Sequence, residues 1–380
     1  MSSRKKKTKK KSLESTPNPS LSDDLLLSCF ARVSRWYYPT LSLVSKSCRS
    51  LVASPELYKT RSLLNHRESC LYVCLQFPPD PHPRLFTLSQ KPNRTLTNIP
   101  KKKNKKSTAH VLVPAPVSNP PPLDNKDVVA VGSNIYAIGG TIENAPSSSV
   151  SILDCLSHTW HEAPNMRMER NYQAVNVVDG KIYVAGGLKD FTSSNWMEVF
   201  DQNTQTWEPV SSPLDKRCSD IYKSLVIDGD IYLFGDDVVA YKPKEDRWIA
   251  ITEKHLNFQI AWFQHSYCVI DNVMYCYRPA GGVLWYDSKL RCWNKLKGLQ
   301  RLPNFASHST VELVDCGGKL VVLWDKYVRA SGYKEKVIWC AEISLEKRNS
   351  QEIWGTIEWS DAVLTVPKSY NFVSAISATV

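Results

Sequence analysis

Residues 172–187, "YQAVNVVDGKIYVAGG", hold two β-forming runs either side of Asp179-Gly180 and stop on a pair of glycines. Two short strands around an Asp/Gly turn are the pattern of a β-hairpin. Glycine weakens a strand interior, so the closing pair marks a bend or a close approach of backbone. A phosphate-cradling role would need a helix directly after the pair, and polar loops follow instead. The same shape returns as "GSNIYAIGG" at 132–140 and, eroded, as "GDIYLFG" at 229–235.

The recurrence extends to the aromatic residues. Tyr136, Tyr183, Tyr232 and Tyr275 each follow a hairpin turn, and a further strand and polar turn lead to Trp160, Trp207, Trp248 and Trp293. Those tryptophans are spaced by 47, 41 and 45 residues, in the range of propeller repeats. A four-stranded sheet every ~45–50 residues is a propeller blade, and a ring of blades protects its own edges. One thin sheet cannot bury large aromatics alone, so the Tyr and Trp are expected to pack blade against blade. Residues 70–380 have room for about six blades at that repeat length. The spacing predicts them at about 70–118, 128–172, 173–220, 221–258, 260–304 and 306–367, with Leu96 in the Trp position of the first. The last stretch, "SYNFVSAISATV", reads as the missing first strand of blade one. Closing the ring that way removes two exposed sheet edges.

Between Leu21 and Leu64 the apolar period is helical instead. Leu25, Leu26, Cys29, Phe30 and Val33 share a face, with Ser20 or Ser22 as cap. A second helix runs through "YYPTLSLVSKSCRSLVAS", with Pro39 in its first turn. A third starts at Ser54-Pro55. The chain thus divides into a disordered basic tail (1–19), a three-helix domain (20–65) and a mainly β propeller (66–380). A basic, Pro-rich insertion is expected at about 91–127.

Charge narrows the function. Two runs, "RKKKTKKK" at 4–11 and "KKKNKK" at 101–106, hold twelve positive charges, and setting them aside turns the net +11 into −1. The folded body is near neutral, which argues against nucleic-acid recognition by a basic face. The runs read equally as nuclear-import tracts or as solvated tails, so nuclear and/or cytoplasmic residence is expected. No run approaches 18 apolar residues, so no membrane helix is expected, and the basic start lacks the apolar segment of a signal peptide. The 11 cysteines are scattered through apolar runs without a CxxC pair, as buried reduced thiols would be.

The β repeats resemble kelch motifs: Gly139, Gly140 and Trp160 match, as do Gly186, Gly187 and Trp207. One later copy keeps only Gly235, and in the next the Gly281–Gly282 pair falls late. The helical stretch resembles an F-box, most specifically in "LVSKSCRSL" at 43–51, although the usual Leu-Pro is Leu21-Ser22 here. Together they resemble the plant F-box/kelch-repeat family. That resemblance implies a substrate receptor of a Skp–cullin–F-box ubiquitin ligase, non-catalytic and without cofactor. The helices would bind a Skp-type adaptor, and through it a cullin, while propeller loops hold an unknown target protein. Leu21, Leu25, Leu26, Leu41 and Val44, with Lys46 on the rim, are the candidate adaptor contacts. Arg170, Arg217, Trp262 and Phe305, near predicted blade-to-blade connections, are candidate target contacts. The alternatives are a kelch scaffold without ligase activity and a propeller enzyme. For the enzyme, the nearest pair of metal-ligand type is His158 and His161, beside Trp160, and there is no nucleophile elbow.

Overall fold

The computed structural model describes residues 22–80, 82–91, 110–115, 117, 121, 127–142, 145–190, 195–212, 221–235, 237–251, 266–279, 281–306, 308–349 and 351–380. The chain begins with helices α1 (Asp23–Ala31), α2 (Tyr38–Leu41), α3 (Lys46–Val52) and α4 (Pro55–Leu63), with a 3-10 turn at Arg35–Tyr37. The predicted second helix is therefore divided. Leu43 and Val44 donate to the carbonyls of Thr40 and Leu41, tightening and ending α2. The Ser45 hydroxyl then accepts the Cys48 N–H at 3.0 Å and starts α3. The last helix begins as its sequence requires, with Pro55 at its first position and Ser54 accepting from the Leu57 N–H at 3.3 Å. Ala31, Tyr38 and Leu57 form the module's core. Arg61 is buried beside them and donates to the carbonyls of Ala31 and Val33 and to the Tyr38 hydroxyl.

The remainder is a propeller of six four-stranded antiparallel sheets. Blades two to six take their strands in chain order, starting at Asp127, Ala174, Ile221, Tyr267 and Val311. Blade one is composite. Its innermost strand is Asn371–Thr379, paired with Ser69–Gln76 from the start of the propeller, followed by Arg84–Gln90 and His110–Pro114. The predicted closure by the far segment is thus the architecture observed.

Among the described residues every junction between blades is filled by at least one apolar cluster. Tyr136, Ile138 and Val150 of blade two meet Ile182, Phe200 and Trp207 of blade three. The ring closes where Leu71, Val73 and Leu75 of blade one meet Val314, Val321 and Ile338 of blade six. Each aromatic buried in this way removes ~150–250 Å² from water, worth about 4–6 kcal/mol at ~25 cal/mol/Å². The indoles also anchor by hydrogen bonds: Trp207 donates to the Pro164 carbonyl and Trp248 to the Ser211 carbonyl, each at 2.8 Å.

The glycine pairs behave as architecture. Gly186 and Gly187 both have φ near +70°, and a Cβ on Gly187 would lie 2.8 Å from the Asn171 carbonyl oxygen. Gly187→Ala combines left-handed strain with that backbone clash. It should cost about 1–3 kcal/mol, measured as a lowered denaturant midpoint.

Blade one departs from expectation in two places. His110–Pro114 is its outer strand and lies inside the stretch predicted as an insertion at 91–127. The run of lysines and prolines masks a strand of only five residues. Leu96 lies outside the described residues, and the strand pairing makes His110–Pro114 the fourth strand of blade one.

Candidate functional site

In every blade the start of the inner strand, the end of the second and the start of the third lie at one end. The strand ends that lead from blade to blade therefore share a face with residues 186–190 and 328–334, and the short turns such as 179–180 occupy the opposite face. The helical module sits on the short-turn face. Glu68 and Val380 exchange backbone hydrogen bonds of 2.9 and 2.8 Å, and the Glu68 carboxylate accepts the Arg35 N–H at 2.9 Å. Tyr58 packs with Tyr72, Ile135 and Leu153. Trp36 meets the edge of the His110 ring, which stacks on Trp359 at 3.8 Å while its Nδ1 lies 2.6 Å from Asp361. Helices, blade one and blade six are thereby joined.

On the module's outside, Leu25 is 54% exposed and Val44 70%, and Lys46 opens α3 in solvent. Leu26 is half-buried. Leu41 is also half-buried, packing in part on the module's own core of Ala31, Tyr38 and Leu57. Leu21 lies outside the described residues. Leu43, 74% exposed beside Val44, belongs to the surface and was not singled out by periodicity. Its signal was the break that ends α2, which puts residues 42–44 in a turn. Ser22, where the F-box pattern has proline, has φ −60°, the angle a proline ring would impose. The backbone entering α1 is kept although the ring is lost.

On the loop face the sequence candidates separate. Arg170 is fully buried, so it offers no surface to a target. Its Nε donates to Glu198 at 2.9 Å and its Nη1 to the carbonyls of Gly186 and Trp196 at 2.6 and 2.9 Å. Burial pulls its pKa down while Glu198 opposes the shift. Arg217 and Trp262 lie outside the described residues. Phe305 is half-buried between Tyr277 and Trp324 and lines a hollow of about 390 Å³ at the junction of blades five and six. Two residues that the sequence reading passed over stand out here: Tyr172 is 72% exposed and Tyr333 54%. Both have positive φ, 58° and 62°, a conformation that costs about 1–2 kcal/mol for a residue with a Cβ. Tyr333 lies 6.2 Å from Tyr327, which neighbours His308 at 5.3 Å, giving an aromatic cluster on blade six.

Among the described residues no group of three or more His, Cys, Asp or Glu side chains is gathered for a metal ion. His158 sits in a turn at φ 56°, and His161 Nε2 lies 2.9 Å from the Thr159 hydroxyl. No helix among the described residues is long and apolar enough to cross a membrane.

Comparison with known proteins matches both parts. A profile described as "FKB95, Kelch-repeats domain" covers residues 85–364, and one described as "F-box domain" covers 19–60. The Arabidopsis thaliana F-box/kelch-repeat protein At5g49000 is 62% identical over the whole of both chains. F-box/kelch-repeat protein At4g39550, from the same plant, is 56% identical over 99% of each.

Proposed function

The chain belongs to the F-box/kelch-repeat family, and from that premise we propose that it is a target-receptor subunit of a Skp–cullin–F-box ubiquitin ligase. The observation that carries this reading is the surface of Leu25, Leu43 and Val44, with Lys46 at its rim. The module has a core of its own, and the propeller leaves this surface uncovered. Exposed aliphatic side chains on a small helical unit are what an adaptor helix would bury. The receptor does no chemistry in this account. It raises the local concentration of a target near the charged ubiquitin-conjugating enzyme.

The target is held on the loop face, opposite the helices. Tyr172 and Tyr333 are its leading contacts, since exposed aromatics held at a backbone cost suit a hot spot, and the exposed Tyr327 lies beside Tyr333. The lysine runs at 4–11 and 101–106, read as import signals, give the receptor nuclear as well as cytoplasmic access.

The test is retention of a purified Skp-type adaptor by the full chain. Leu25→Glu combined with Val44→Glu should weaken retention more than tenfold and leave thermal unfolding of the propeller unchanged. Unchanged retention by the variant would move the adaptor contact off this surface, and no retention by the folded parent chain would favour a scaffold without ligase activity. The Pro-like backbone at Ser22 favours the ligase.

A further inference from the structure

We propose that the cleft between the helical module and the propeller is a binding site for a small organic acid: a single carboxylate on a flat apolar body. The inference goes beyond the ligase reading and stands whether or not the helices engage an adaptor. The cleft has a volume of about 500 Å³, within the ~300–1,000 Å³ typical of ligand sites. Trp36 and Tyr58 of the module face Leu71, Leu88 and Val113 of blade one and Val321 of blade six across it. Aromatic and aliphatic walls of this kind suit a flat apolar body.

Its charges are unbalanced in one place. Glu68 is engaged by Arg61 at 3.3 Å and by the Arg35 N–H, and Glu342 by Lys319 at 2.7 Å. The pKa of His158 is pushed down by burial and by the charge of Arg35, so its ring stays neutral at pH 7. Arg35 itself is half-buried, and its guanidinium has a thiol for a partner, Cys70 Sγ at 3.3 Å, and lies 5.4 Å from the centre of the Tyr58 ring. Burial raises the Cys70 pKa, so that thiol carries no charge. Among the described residues no carboxylate lies within 4.0 Å of the Arg35 guanidinium. A partly desolvated cation without a counter-charge is costly, and a ligand carboxylate supplies it in the planar geometry that arginine favours. One uncompensated charge calls for a monoanion rather than a phosphate dianion.

Titration calorimetry on the full chain tests this, with 1-naphthoate as probe and the equally large, neutral 1-naphthamide as control. Naphthoate should bind at least tenfold more tightly than the amide. Arg35→Gln should bring the two within about twofold, and Ser89→Trp, which fills the cleft from blade one, should remove both. If Arg35→Gln does not fold, the acid–amide comparison in the parent chain and the Ser89→Trp variant decide the matter. No binding of naphthoate, equal binding of acid and amide in the parent chain, or binding that survives Ser89→Trp would overturn the proposal, as would a preference that survives Arg35→Gln.

Discussion

A chain ended at Pro367 yields no soluble propeller. The cut removes Asn371–Thr379, the inner strand of blade one, whose register runs from Ser69 opposite Thr379 to Gln76 opposite Asn371. It also removes Tyr370, whose hydroxyl donates to the Asp325 carboxylate at 2.7 Å, beside the buried Lys336–Asp325 pair at 2.8 Å. The strand Ser69–Gln76 would then be an apolar edge, and such an edge invites pairing with other chains. A domain's whole margin is only ~5–15 kcal/mol, so losing an entire strand and one ring junction exceeds it. Aggregation on expression, or digestion under protease conditions that spare the full chain, is the expected outcome. A monodisperse truncated chain with the parent's melting temperature would refute the closure.

The second large effect is at Arg170 and Glu198. Both side chains are fully buried, and Glu198 also accepts the Arg167 N–H at 2.8 Å. Glu198→Gln leaves a guanidinium charge without its counter-ion, and Arg170→Met leaves a buried carboxylate without its cation and removes one donor each from the carbonyls of Gly186, Trp196 and Asn195. Breaking one side of a buried pair costs about 3–5 kcal/mol. Each variant should lower the urea midpoint accordingly. The double variant Arg170→Met/Glu198→Leu should recover part of the loss and no more, since nothing replaces the hydrogen bonds that Arg170 gave to the carbonyls. A loss below about 1 kcal/mol in Arg170→Met would show that the residue is free to act elsewhere.

How much of this was legible depends on how local its cause is. The hairpin turns, the glycine pairs and the recurring tryptophans are short-range signals, so the blades could be placed from residue order. Blade one was harder because its first strand comes from the other end of the domain and its last, at His110, follows a lysine-rich stretch. Helical periodicity placed Leu25, Leu26 and Leu41 on apolar faces. It could not say which face turns inward, and Leu41 rests partly on the core while Leu25 stays outside. Arg170 was misread for a different reason. An arginine near a connection is usually solvated, and its partner Glu198 lies 28 residues further along. The outward tyrosines escaped notice because nothing in their neighbours announces a positive φ.

The composite blade also has a consequence during synthesis. Its second strand leaves the ribosome about 300 residues ahead of the strand that covers it, which at ~5–20 residues per second is about 15–60 s. Through that interval Leu71, Val73 and Leu75 are present without their inner neighbour, while five further blades emerge. Docking of the helices through Glu68 must wait equally long, because its backbone partner is Val380. The module and the ring therefore reach their joint arrangement in the same late step, once Asn371–Thr379 and Val380 have emerged.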